Sequence, residues 1–101
     1  MTRERLPNKR ATTHSDFELS GIKYTVSWSR FADGRLGEIF IFCPKAGTAA
    51  DIAARDAAIA CSLALQFGAD MDTIRKALCR DARGNASGPL AAALDVIAGQ
   101  A

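Results

Sequence analysis

From Ile22 to Ser29 apolar and polar side chains alternate without a break, Ile22, Tyr24, Val26 and Trp28 against Lys23, Thr25, Ser27 and Ser29. A period of two puts one set on each face of an extended chain, so this segment predicts a half-buried strand. Asp33-Gly34 follows, a dipeptide suited to the positive φ angles of a two-residue type I′ hairpin turn. Leu36 to Cys43, rich in Ile and Phe, is the predicted return strand, closed by Pro44 and Gly47. Upstream, Phe17 and Leu19 flank Glu18 and predict a short first strand ending at Gly21.

A two-residue turn fixes the register of the hairpin. Trp28 then faces Ile39 and Val26 faces Ile41, and with Ile22, Tyr24 and Cys43 they make one apolar face for helices to cover. On the other face Ser27 meets Phe40, Thr25 meets Phe42, and Phe31 meets Leu36. An open sheet face is ordinarily polar throughout, and grouped apolar side chains on it mark contacts. Phe40, Phe42, Phe31 and Leu36 are therefore the candidate interface residues, and a homodimer is the expected assembly.

The period changes after Gly47. Thr48 with Asp51 three residues on has the form of a capping box, and Ala49 to Phe67 is Ala-rich with no Pro or Gly. Ile52, Ile59, Leu63 and Phe67 fall near one stripe of this helix, which predicts its buried side, while Asp51, Arg55 and Asp56 mark its solvated side. Gly68 is placed to end it. Asp70 or Asp72 caps a short second helix whose apolar residues are Met71, Ile74 and Leu78. Cys79 to Gly84 is a polar connection, and Ser87-Gly88-Pro89 opens a third helix with Leu90, Leu94 and Ile97 on its buried side and Gly99 at its end. Strands first and helices afterwards predict an α+β fold: an antiparallel hairpin-based sheet of two or three strands, then three helices packed on one face.

Composition narrows this little. A chain of 101 residues has room for one domain, expected over residues 16–101 behind a flexible basic arm at 1–15. With 49% hydrophobic and 24% charged residues, wholesale disorder and low-complexity fibres are excluded. No apolar run approaches the ~18–20 residues of a membrane span, and the start lacks the apolar core of a signal peptide, so a cytoplasmic protein is expected. The net charge of +2 is small, yet Arg3, Arg5, Lys9 and Arg10 crowd the arm. With Arg30 and Arg35 near the hairpin they supply the alternative reading, a small nucleic-acid-binding domain with Tyr24 and Trp28 as stacking platforms.

Candidate chemistry is sparse. Cys43, Cys61 and Cys79 are odd in number and form no C-x-x-C pair, so neither a disulfide framework nor a zinc site is indicated, and no metal is expected. Cys61, beside Ala60, Ser62 and Leu63, reads as a small core hydrophobe. His14, the single histidine, lies in the expected arm, where it is poorly placed to serve a nucleophile. No phosphate-cradling or dinucleotide-binding glycine motif occurs. An enzyme acting by itself is not expected.

A resemblance runs through the ordered series Gly21-Ile22-Lys23-Tyr24, Asp33-Gly34-Arg35, Glu38-Ile39-Phe40-Ile41, Lys45-Ala46-Gly47-Thr48, Ser62-Leu63-Ala64-Leu65-Gln66-Phe67-Gly68 and Ile74-Arg75-Lys76-Ala77-Leu78. Together these resemble the small TSCPD-type domain at the C-terminus of adenosylcobalamin-dependent (class II) ribonucleotide reductases, over about residues 17–99. The family's Thr-Ser-Cys-Pro-Asp motif falls at Ala86-Ser87-Gly88-Pro89-Leu90: Ser87 and Pro89 match, while Gly88 stands for Cys and Leu90 for Asp. A thiol role at that position is therefore not carried over. The resemblance implies a non-catalytic accessory domain linked to deoxyribonucleotide synthesis, with a reductase catalytic chain as a possible partner. The resembled reductases use adenosylcobalamin; this chain is expected to hold no cofactor.

Overall fold

The strand signals form one three-stranded antiparallel sheet, in the order β1 (Thr13–Leu19), β2 (Ile22–Arg30) and β3 (Leu36–Phe42). The computed structural model describes residues 2–45 and 47–99; Met1, Ala46, Gln100 and Ala101, which the expected arm, loop and domain limits include, lie outside them. Three helices follow, α1 (Ala49–Gln66), α2 (Met71–Ala77) and α3 (Pro89–Gly99), so the expected α+β order is found. β1 is longer than its apolar residues signal. It begins at Thr13, inside the segment read as an arm, and places His14 opposite Ser27 in the sheet.

The two hairpins use different turns. β1 and β2 join through Ser20-Gly21, both at positive φ (53° and 78°), which is the type I′ geometry expected instead at Asp33-Gly34. Between β2 and β3, Phe31 N–H bonds the Arg35 carbonyl (2.8 Å), Gly34 N–H bonds the Phe31 carbonyl (2.9 Å), and Gly34 takes φ 95°. This is a three-residue loop ending in a left-handed glycine. By itself it slips the pairing by one, and Arg30 faces Leu36. The extra residue Gly37 then bulges, and from Ser29–Glu38 onward the register is the expected one: Trp28–Ile39, Val26–Ile41, Ser27–Phe40 and Thr25–Phe42. Loop and bulge cancel. Their combined effect turns Leu36 to the inside and leaves Phe40 and Phe42 outside.

The core joins Tyr24, Val26, Trp28, Leu36, Ile39 and Ile41 of the sheet to Ala54, Ala58, Cys61 and Leu65 of α1 and Ala93, Leu94 and Ile97 of α3. α3 contacts β1 and β3, and α1 runs against β3. The expected burial of α1 is reversed. Ile52, Ile59, Leu63 and Phe67 are 50, 51, 40 and 42% exposed, whereas Asp51, read as solvated, is 2% exposed. The reason lies in side-chain size. A helix set this close to a strand needs small residues against it, and Ala54, Ala58, Cys61 and Ser62 supply them; the bulky stripe is displaced outward.

The helix ends behave as their residues dictate. Thr48 Oγ1 accepts from Asp51 N–H (3.2 Å). At the other end Gly68 N–H bonds the Leu65 carbonyl and Ala69 N–H the Ala64 carbonyl (3.1 and 2.9 Å), closing α1 as Gly68 foretold. Asp70, not Asp72, caps α2 through Thr73 N–H (3.1 Å). Asp95 of α3 accepts from Arg75 (3.2 Å) and, with both oxygens, from Arg80 (2.8 Å each), tying α2 and the following loop to α3.

Candidate interaction surface beside the third strand

β3 is an edge strand, and an unpaired edge invites another chain to add to it. α1 closes it with polar side chains. Ser62 Oγ accepts from Ile39 N–H and donates to the Ile39 carbonyl, both at 2.9 Å. Gln66 Nε2 donates to the Gly37 carbonyl (2.9 Å). At the far end the Asp51 carboxylate accepts from Gly47 N–H (2.9 Å). That bond first, then one from Cys43 N–H and the nearby Arg55, holds Asp51 below the usual carboxylate range. Asp51, Ser62 and Gln66 thus line one side of α1 along the strand.

The pH consequence follows from that sign. A carboxylate held low in the folded state stabilises the fold above its unfolded value of about 3.9 and loses this contribution as pH falls through the folded value. Asp33, Asp81 and Asp95 are lowered in the same sense, by Arg35 N–H, Asn85 N–H and Arg80 respectively. Stability is expected to fall in the acid limb below about pH 4, and Asp51→Asn to flatten part of that fall. Urea midpoints between neutral and acid pH check it; an unchanged acid slope in the variant refutes it.

On the solvent side of this seam an apolar surface is left open. Phe40 and Phe42 are 38 and 47% exposed on the outer face of β3, with ring centroids 6.4 Å apart. Ile59 of α1 joins them: Phe40, Ile41, Phe42, Arg55 and Ile59 line a cleft of about 270 Å³. Ile52, Leu63 and Phe67 continue the surface along the helix. Sequence periodicity found this stripe but assigned it to the core.

The four expected interface residues are separated by the structure. Phe40 and Phe42 lie on the open surface, whereas Phe31 and Leu36 are 7 and 4% exposed. Leu36 enters the core through the Gly37 bulge. Phe31 is covered by the Arg35 guanidinium, 4.6 Å above its ring, and closes over Gly37 together with Leu6.

The basic residues are largely engaged within the chain. Arg10 forks onto Glu38, Nε to Oε2 at 2.8 Å and Nη2 to Oε1 at 2.7 Å. Arg3 Nε donates to Gln66 Oε1 (2.6 Å), and Glu4 N–H to the Gln66 carbonyl (2.7 Å). Arg35 pairs with Asp33 and Glu4, and Arg30 reaches the Gly34 carbonyl. Arg5 and Lys9 are exposed. Through Arg3, Glu4 and Arg10, residues 3–10 are thus tied to the end of α1 and to Glu38 of β3.

The three cysteines stand apart from one another. Cys43 is half-buried, Cys61 buried and Cys79 exposed, on separate parts of the chain, and burial pushes the Cys61 thiol up to about 11. Among the described residues no group of three or more His, Cys, Asp or Glu is placed to hold a metal. Ser87, Gly88 and Pro89 form the start of α3, with Ala92 N–H bonding the Gly88 carbonyl (3.1 Å). Two further clefts measure about 260 Å³ beside Arg30, Arg35 and Asp70, and about 340 Å³ beside Ile22, Cys43 and Lys45. These are at the small end of ligand pockets. No described helix is long and apolar enough to cross a membrane.

Two curated proteins are similar to this chain over 70 residues. It is 40% identical to a vitamin B12-dependent ribonucleotide reductase of Agrobacterium fabrum and 39% identical to one of Bradyrhizobium diazoefficiens. In both the match covers 69% of this chain and 6% of the relative, so the chain corresponds to a small fraction of the length of those proteins. No family model and no solved structure matches.

Proposed function

We propose that this chain is a cytoplasmic, non-catalytic interaction domain, related to a segment of vitamin B12-dependent ribonucleotide reductases and serving deoxyribonucleotide synthesis by binding a reductase catalytic chain. The carrying observation is 40% identity over 70 residues to a 6% portion of such a protein. The arrangement of side chains supports the same reading. Asp51, Glu38 and Asp95 are tied into structural bonds, and an apolar surface is left open beside β3 and α1. A surface of that kind binds; it does not transfer protons or electrons. The resemblance to the TSCPD-type domain fits an accessory role, with Ser87 and Pro89 kept for the turn into α3 while Gly88 stands at the thiol position.

The test is direct. The full chain and a B12-dependent reductase catalytic chain from the same organism, mixed at micromolar concentration, are expected to co-elute in gel filtration. Separate elution, together with unchanged reductase turnover on adding this chain, overturns the proposal.

A further inference from the structure

We infer that the apolar surface shared by β3 and α1 joins two copies of this chain, which rests on the interaction-domain reading above and names its first partner. Six large side chains, Phe40, Phe42, Ile52, Ile59, Leu63 and Phe67, are each between 38 and 51% exposed. A large apolar side chain fully exposed presents roughly 150–250 Å², so the six leave on the order of 500 Å² of apolar surface on one side of the molecule. That is near the upper end of what a typical monomer leaves open. A standard interface takes about 800 Å² from each partner, some 56–65% of it apolar, which is again on the order of 500 Å². One copy therefore supplies what one half of a dimer requires.

Charge on the surface points the same way. Arg55 lines the cleft with Phe40, Phe42 and Ile59, and Asp56 lies between Ile52 and Ile59 on the exposed side of α1. Their charges are opposite and adjacent, and the half-exposed Arg55, which also lies 3.6 Å from Asp51 of its own helix, keeps donors free for a second carboxylate. Two such helices meeting antiparallel about a two-fold axis bring Arg55 of one copy to Asp56 of the other, twice, so the surface complements itself. A strongly acidic or basic partner finds no matching charge. Strand addition at β3 is blocked where Ser62 and Gln66 already occupy the backbone of Ile39 and Gly37. The contact is made by side chains.

Sedimentation of the full chain over a range of concentrations tests this. Wild type is expected to be dimeric in the micromolar range. Ile59→Lys and Phe42→Arg, both on half-exposed positions, are expected to be monomeric with unchanged far-ultraviolet circular dichroism. Lys76→Glu, at an exposed position of α2 away from this surface, remains dimeric. Two variants on two elements keep the test decisive if one of them fails to fold. A wild type monomeric at its highest soluble concentration, or an Ile59→Lys protein that still dimerises, overturns the inference. The same samples are then mixed with the reductase catalytic chain. A dimer that ignores the reductase supports the inference and overturns the proposed function; a monomer that binds it through Ile59 and Phe42 does the reverse.

Discussion

Ser62→Ala is expected to lower the folding stability by about 2–4 kcal/mol, an effect out of proportion to the single oxygen removed. The hydroxyl satisfies two backbone groups at once, accepting from Ile39 N–H and donating to its carbonyl. Ile39 is fully buried, so water cannot simply take over both bonds. Each buried group left without a partner costs about 1–3 kcal/mol, and two of them at the lower half of that span, about 1–2 each, give the range for a helix edge that can shift slightly. The cavity left is small because Ala is nearly the size of Ser, so packing loss adds little. Ser62→Thr keeps the hydroxyl and separates the bond from the volume. Urea unfolding gives the magnitude, and hydrogen exchange at the Ile39 amide gives the cause: it should accelerate in Ser62→Ala far more than at Val26 in the sheet centre. A loss under about 0.5 kcal/mol would show that water or a shifted helix replaces both bonds.

That dependence on Ser62 also marks where the sequence stops being readable. Alternation from Ile22 to Trp28 announces β2 because a half-buried strand needs it, and Thr48, Gly68 and Asp70 announce the helix ends because free backbone groups there need partners. These are local demands, met by local residues. The side of α1 that faces inward is not a local matter. It depends on how near the helix approaches β3, and Ile52, Ile59, Leu63 and Phe67 look like a core stripe to any test of period alone. Asp51 looks solvated for the same reason; its partners Gly47 and Cys43, like the Gly37 carbonyl that Gln66 reaches, are brought up by the fold. The first strand was half-hidden because Thr13, His14 and Ser15 carry no apolar signal and are held by pairing with β2. Of the interface candidates, Phe40 and Phe42 were legible through their register with Ser27 and Thr25. Phe31 and Leu36 were not, because a three-residue loop and a one-residue bulge offset each other and leave no trace in spacing.

Gly37→Ala is expected to cost about 1–3 kcal/mol and to loosen the first residues of the chain from the domain. Gly37 is the inserted residue of the bulge, and the space above it is filled. A Cβ there would lie 2.9 Å from Phe31 Cε2 and 3.1 Å from both Leu6 methyl carbons. Separations this short require movement. Phe31 is 7% exposed, with the Arg35 guanidinium over its ring, so it yields little; Leu6 carries flexible methyl groups on a segment near the N-terminus and yields first. Moving Leu6 pulls on Glu4 and Arg3, which hold the end of α1 through Gln66, and on Arg10, which holds Glu38. The added methyl thus competes with the N-terminal segment for one position. Leu6→Ala alone removes the same contact from the other side. If the two compete for that space, the double variant is less destabilised than the two single losses added together, a coupling expected between touching residues and absent between distant ones. Exchange of the Glu4 amide, bonded to the Gln66 carbonyl, should rise in Gly37→Ala while that of Ile39 stays slow. Additive losses in the cycle, or an unchanged Glu4 amide, would mean that Phe31 absorbs the methyl and that the N-terminal segment is held independently of Gly37.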